Sequence, residues 1–269
     1  MAEQLAKPAA PAIRFAAEAD REQLAGPDAE FLAEVGLRVR TLRERRGMTR
    51  KALARESDVS ERYLGQLEAG EGNASILLLR RISAALGVST ADLLRPEAQR
   101  KKRIALIGLR GAGKTTLGSQ LAKQLNVPCV EVNEAIRRHT GLPISEVISL
   151  YGQSGYRRIE RQVLERVIGE CDRAVLVVGG GVVSEEETFN LLLANCYTVW
   201  LKATPDEHMA RVLAQGDFRP MAGNEEAMED LKRILAAREP LYRRADAFVD
   251  TAGEAPEESF RKLVEIVMA

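Results

Sequence analysis

Only three cysteines occur in 269 residues: Cys129, Cys171 and Cys196. An odd, scattered set without a CxxC pair argues against a disulfide framework and against a zinc site. Histidine is scarcer still. His139 and His208 are the only two, which leaves little basis for a His-rich metal centre. Long apolar runs are also missing. The most nearly apolar stretch, 174–183, is too short to span a bilayer, and Gly179, Gly180 and Gly181 interrupt it. The first residues show no basic segment followed by an apolar core, so no signal peptide and no membrane partner are expected, and the cytoplasm is the expected location. Nor is there an excess of charge of either sign: 39 basic residues balance 39 acidic ones.

That balance hides an uneven distribution. Residues 1–30 carry a net −3, residues 31–103 a net +7, and residues 104–269 a net −4. A compact basic segment joined to a mildly acidic body suggests a nucleic-acid module attached to something else. Four segments follow. Residues 1–30, rich in Ala, Pro, Glu and Asp, read as a mobile arm. Residues 31–94 read as short helices. Residues 95–103 read as a linker around a proline. From 104 onward the pattern alternates between strands and amphipathic helices. Strands are expected at 104–107, 129–132, 174–178, 198–201 and 247–250. Such alternation implies a parallel sheet covered on both faces.

In the basic segment, helices are expected over 31–46, 50–57, 61–69 and 76–86, with a fifth after Ser89–Thr90. The first places Leu32, Val35, Val39 and Leu42 on one face and Arg38, Arg40, Arg43, Arg45 and Arg46 on the other. Thr49 and Ser60 are placed to cap the second and third helices. Asp58 tolerates the left-handed turn between them. Two short helices around a tight turn form a helix-turn-helix, and the run from Arg40 to Leu94 resembles the XRE/Cro-repressor family. The resemblance implies that the third helix enters the major groove of double-stranded operator DNA. Ser60, Glu61, Arg62, Tyr63 and Gln66 would then lie at the bases, and Arg50 and Lys51 at the phosphates. A dimer is expected, because such modules read paired half-sites.

In the second segment, an apolar run precedes GLRGAGKTT. Gly108, Gly113, Lys114 and Thr115 fit G-x-x-x-x-G-K-[ST], with Gly111 and Thr116 in the same loop. Glycines let backbone N–H groups curl around a phosphate, Lys114 adds positive charge, and the Thr115 hydroxyl can hold Mg²⁺. The rest of 103–269 resembles shikimate kinase: EVNEAIRRHTG, ISLYGQSGYRRIE, VVGGGVV, the lid segment with Arg219, and AREPLY with Arg238. The fold class implied is an α/β P-loop domain with a parallel sheet, following an all-α helix-turn-helix domain.

The resemblance assigns nucleotide phosphates to the loop and to Arg219. It assigns a second ligand to Glu131, Asn133, Arg157, residues 179–181 and Arg238. Three departures stand out. Where the family has two aspartates, one beside Mg²⁺ and one placed to take the substrate proton, this chain has Glu131 and Asn133. Gln153 likewise replaces a common Glu. An amide has no accessible protonation near neutral pH, and losing a general base typically costs ~10²–10⁴ in rate. Loss of kinase activity is therefore expected, with no required cofactor and with room for Mg-ATP. The two-domain order resembles the BzdR/BoxR regulators of bacterial benzoate degradation. That resemblance implies a repressor of aromatic catabolic genes whose effector is a CoA thioester, benzoyl-CoA. The alternative is an active shikimate kinase carrying a regulatory DNA-binding domain.

Overall fold

The computed structural model describes residues 26–214 and 227–269. Residues 1–25 of the arm expected over 1–30 and the lid arginine Arg219 lie outside the described residues, and 27–30 of that stretch belong to the first helix instead. The chain forms an all-α helix-turn-helix domain followed by an α/β P-loop domain.

The first domain comprises α1 (Pro27–Arg45), α2 (Arg50–Ser57), α3 (Glu61–Glu68), α4 (Ile76–Ala85) and α5 (Thr90–Leu94). Helix α1 starts four residues earlier than the apolar spacing suggests. Pro27 occupies the first turn, where its missing N–H costs nothing, and Asp28 and Glu30 favour the positive end of the helix dipole. The Thr49 hydroxyl accepts from the Ala52 N–H at 3.1 Å, and the Ser60 hydroxyl from the Tyr63 N–H at 3.2 Å. Asp58 adopts φ 54°, ψ 41°, the left-handed geometry that closes the turn. Val35, Val39, Leu42, Leu53, Leu64, Leu67, Ile82 and Leu93 make one core. A fully buried leucine such as Leu53 contributes about 1.5–3 kcal/mol relative to exposure.

After a short helix, α6 (Glu97–Arg100), the second domain runs β1 (Arg103–Ile107), α7 (Lys114–Leu125), β2 (Cys129–Glu131), α8 (Val132–Thr140), α9 (Ile144–Glu170), β3 (Ala174–Val177), α10 (Glu186–Asn195), β4 (Tyr197–Lys202), α11 (Pro205–Ala214), α12 (Ala227–Tyr242), β5 (Ala247–Asp250) and α13 (Pro256–Met268). The strands form one five-stranded parallel sheet in the order β2-β3-β1-β4-β5. Alternate residues of β1 serve the two faces. Ala105 and Ile107 join Ile136, Leu164, Phe189 and Trp200, whereas Ile104 and Leu106 join Leu117, Leu121, Val249 and Leu263. Helix α9 breaks at Gly152, whose φ of 68° and ψ of 178° lie outside helical geometry, so Ile144–Glu170 is two helices across a kink. No helix among the described residues is long and apolar enough to cross a membrane.

The two domains meet through α1. The arginine face of α1 is largely spent inside the protein. Arg38 donates to the carbonyl oxygens of Asp92 and Ala194, and Arg43 to Glu68. Arg45 pairs with Asp246, and Arg46 pairs with Glu186 at 2.6 Å. Arg100 donates to Asp246 at 2.9 Å and to the Cys196 carbonyl at 2.8 Å. Burial pushes the Asp246 carboxyl up, but the Arg100 and Arg45 charges and the Thr198 N–H outweigh it and hold it below the usual carboxylate range.

Candidate functional site

In an open parallel sheet the crevice beyond the carboxyl ends of the strands is where ligands bind. Here the loop after β1 turns into the N-terminus of α7, β2 ends at Glu131, and β3 leads into Gly179. Between them lies a cavity of about 580 Å³. Its walls bring together Gly111, Gly113, Lys114, Thr115, Thr116, Glu131, Asn133, Gly179 and Gly180. Arg110, Ile144, Ser145, Ile148, Val177 and Val178 complete it, and none of these six was singled out in the sequence.

Lys114 donates to the carbonyl oxygens of Gly108 and Leu109, each at 2.9 Å, so its head is folded back over the loop. Burial, with Arg110 adding repulsion and Glu131 partly opposing, pushes its ammonium down to about 8. An incoming phosphate would reverse that shift. Thr115 presents an exposed hydroxyl and Glu131 a half-buried carboxylate to the same cavity. These are hard oxygen donors, and they fit a Mg²⁺ that keeps most of its waters and binds with the phosphates.

Gly111 sits at φ 79°, with space for a Cβ closed by the His208 carbonyl oxygen at 2.7 Å. The His208 ring, 1% exposed, meets the Arg110 carbonyl at 2.9 Å through Nδ1. Burial pushes its pKa down to about 4. The neutral ring therefore donates from Nδ1 and props the loop from beneath. No residue pattern in the sequence marked this histidine, because the contact joins α11 to the loop after β1.

Several sequence candidates lie outside the cavity wall. Arg157 pairs with Glu185 at 2.5 Å, and Arg238 donates to the Gly180 carbonyl at 3.2 Å. Tyr242 donates to the same carbonyl at 2.8 Å and stacks on Trp200. Gly108 acts through its carbonyl oxygen, and the backbone at Gly181 enters a short 3₁₀ turn. His139 is exposed, 3.3 Å from Arg166.

On the helix-turn-helix, Lys51, Ser60, Glu61 and Arg62 are exposed and Gln66 is half-buried. Ser60 is occupied as a cap. Tyr63 turns inward against the core, and its hydroxyl is buried without a hydrogen-bond partner. Arg50 pairs with Glu68 at 2.9 Å, and the buried Glu68 also holds Arg43.

This is the architecture of a P-loop phosphate-binding domain carrying an XRE-type DNA-binding domain. Residues 110–268 match the model for shikimate kinase, and residues 39–93 match that for a helix-turn-helix. The chain belongs to the shikimate kinase family. A shikimate kinase of Francisella tularensis subsp. holarctica is 37% identical over 155 residues, covering 57% of this chain and 88% of that one. One of Thermodesulfovibrio yellowstonii is 38% identical over 164 residues, covering 61% and 94%. Among solved structures, the shikimate kinase of Acinetobacter baumannii in complex with shikimate superposes with a TM-score of 0.56 at 28% identity, covering 62% of this chain and 92% of that one. That of Bacteroides thetaiotaomicron gives 0.57 at 29%, covering 62% and 98%.

These likenesses overturn the expectation that the kinase domain is no longer an enzyme. Chains named shikimate kinase, 37–38% identical, cover the P-loop domain almost end to end, which points to enzyme function. The inference from Asn133 gave one residue too much weight. Phosphoryl transfer rests mainly on positioning and electrostatic stabilisation, so an amide at one position does not by itself abolish it.

Proposed function

We propose that this chain is a DNA-binding transcriptional regulator, acting as a repressor, whose shikimate kinase domain binds a phosphate-bearing small molecule and reports its presence to the DNA-reading helix. One observation carries the proposal. The Asp246 carboxylate of the kinase domain is held by Arg45 on α1 and by Arg100 in the connection, while Glu61 and Arg62 at the start of α3 stay on the surface. A rigid joint on one side of the helix-turn-helix and a free reading face on the other suit coupling between ligand and DNA.

For the ligand, the resemblance to the BzdR/BoxR regulators favours a CoA thioester, benzoyl-CoA, and with it aromatic catabolic genes, a homodimer on paired half-sites and a cytoplasmic setting. Coenzyme A carries an adenosine and a pyrophosphate suited to the P-loop. A benzoyl ring has the outline of a six-membered ring bearing one carboxyl carbon.

A second reading has its own support in the relatives named shikimate kinase: the same cavity transfers a phosphoryl group from Mg-ATP to a ring hydroxyl. The two readings can hold together in one protein. Titrating the full chain on operator DNA with ATP, shikimate and benzoyl-CoA, while following ADP release, tests both. Release of DNA by benzoyl-CoA supports the sensor. ADP release dependent on shikimate supports the kinase. Operator binding unmoved by any of the three sinks the sensor.

A further inference from the structure

Position 133 carries an amide, so the proton of any hydroxyl phosphorylated in this cavity needs another destination. Three oxygens converge beside Gly179. A carbon in the position of a Cβ there would lie 3.4 Å from Glu160 Oε1, 3.6 Å from Asn133 Oδ1 and 3.6 Å from Tyr156 Oη. Gly179 and Asn133 line the cavity, and the absent side chain of Gly179 leaves a methyl-sized space at that wall which a substrate hydroxyl can fill. Around it the polar groups already form a chain. The Tyr156 hydroxyl has two acceptors in reach, Glu160 Oε1 at 2.9 Å and Asn133 Oδ1 at 3.3 Å, and the shorter contact takes its proton. With its proton committed to Glu160, the phenol keeps lone pairs free to accept.

Resting on the kinase reading above, we propose that Tyr156 and Glu160 form the proton-accepting relay of this site, Tyr156 at the substrate hydroxyl and Glu160 behind it. As the substrate oxygen bonds to the γ-phosphorus of ATP, the bond from that phosphorus to the β-phosphate oxygen breaks and ADP leaves. The hydroxyl proton passes to Tyr156 Oη, and the phenol proton passes to Glu160 Oε1. Glu160 later returns it to water, so alcohol and ATP become phosphate ester, ADP and one proton. Asn133 orients the hydroxyl by hydrogen bonding without titrating.

The surroundings of Glu160 suit the role. The residue is 2% exposed. Burial raises its pKa, the Tyr156 hydrogen bond lowers it, Glu185 raises it and Arg157 lowers it, and the balance stands at about 7. A base is most effective when its pKa lies near the working pH. The Tyr156 phenol is pushed well above its ordinary value by burial and by Glu160, so it relays a proton without holding a negative charge.

The test is steady-state phosphorylation of shikimate by the full chain with Mg-ATP, from pH 5.5 to 9. In the unmodified protein kcat should rise with pH through about 7 and then level, because Glu160 must be ionised to accept. Glu160→Gln should lower kcat about 10²-fold or more, abolish that limb, and leave the shikimate KM within about threefold. Tyr156→Phe should do likewise, and Glu160→Asp should recover part of the rate. Unchanged ATP affinity in each variant serves as the folding control. If the unmodified protein releases no ADP with shikimate, the kinase reading falls and the relay falls with it. If it does, and Glu160→Gln keeps both rate and pH limb, the relay alone is wrong. A loss that appears wholly in KM or in ATP affinity also overturns it, because that marks a structural role.

Discussion

Arg100 and Asp246, 146 residues apart in the chain, form a buried ion pair: Nη2 lies 2.9 Å from Oδ2, and the side chains are 4% and 6% exposed. The same carboxylate accepts from the Thr198 N–H at 2.7 Å and hydroxyl at 2.8 Å, so its position on the sheet is fixed. What it holds, through Arg45, is the first helix of the DNA-binding domain.

Asp246→Asn should therefore destabilise the protein strongly. Removing one partner of a buried pair typically costs about 3–5 kcal/mol, because the remaining charge is left uncompensated. Urea unfolding at pH 7 measures it. The pH dependence has a definite sign. The folded pKa is depressed, so the stabilisation is present above the unfolded value of about 3.9 and is lost as pH falls through the lower folded value. A loss under about 1 kcal/mol at pH 7 would show that the joint is weak.

The exposed start of α3 defines a DNA experiment. Arg62→Ala and Gln66→Ala should each weaken discrimination at one base pair by about 1–3 kcal/mol. Lys51→Ala should weaken all sequences alike and flatten the salt dependence by about one unit. Fluorescence anisotropy on operator and random duplexes at two salt concentrations separates these outcomes. An unchanged operator-to-random ratio for Gln66→Ala removes that residue from the reading surface.

Lys114→Ala removes the ammonium that lies over the P-loop. Operator affinity should stay within about twofold, since the two ligands act on separate domains and are linked only by coupling. ATP and CoA-thioester binding, followed by calorimetry, should fall at least tenfold. Release from operator at the normal ligand concentration would show that the loop does not grip the ligand.

His208 gives an acid-sensitive element beneath the same loop. Its folded pKa of about 4 lies below the unfolded value of about 6.5. On acidification the unfolded chain takes up this proton first. Stability is then lost as pH falls from about 6.5 towards 4, and it is retained above. His208→Gln should flatten that part of the urea-midpoint profile. An unchanged slope would mean that other groups carry it.

Much of the fold was legible locally. Thr49 and Ser60 as caps, Asp58 as a left-handed turn and the glycine-lysine loop all depend on residues within a few positions of one another. Contacts across the chain were not legible. The arginines of α1 read only as the face opposite the apolar one, but Arg38 reaches Ala194, and Arg45 reaches a carboxylate 201 residues away. Tyr63 read as a base contact, yet its ring is part of a core that sequence spacing alone could not close. Glu160 was visible as a motif residue. Its meeting with Tyr156, Asn133 and Gly179 needed α8, α9 and the end of β3 to come together.

The arginine face of α1 bears on how the DNA-binding half can be studied. Cut at the linker, a fragment ending near residue 100 would leave behind Asp246 and Glu186, the carboxylates that partner Arg45, Arg100 and Arg46 in the whole chain. Its surface would gain cations that the intact protein keeps occupied, and it would cling to any duplex with a steep salt dependence. Selectivity measured on such a fragment would understate that of the two-domain chain. In the intact chain the kinase domain's Asp246 and Glu186 neutralise Arg45, Arg100 and Arg46.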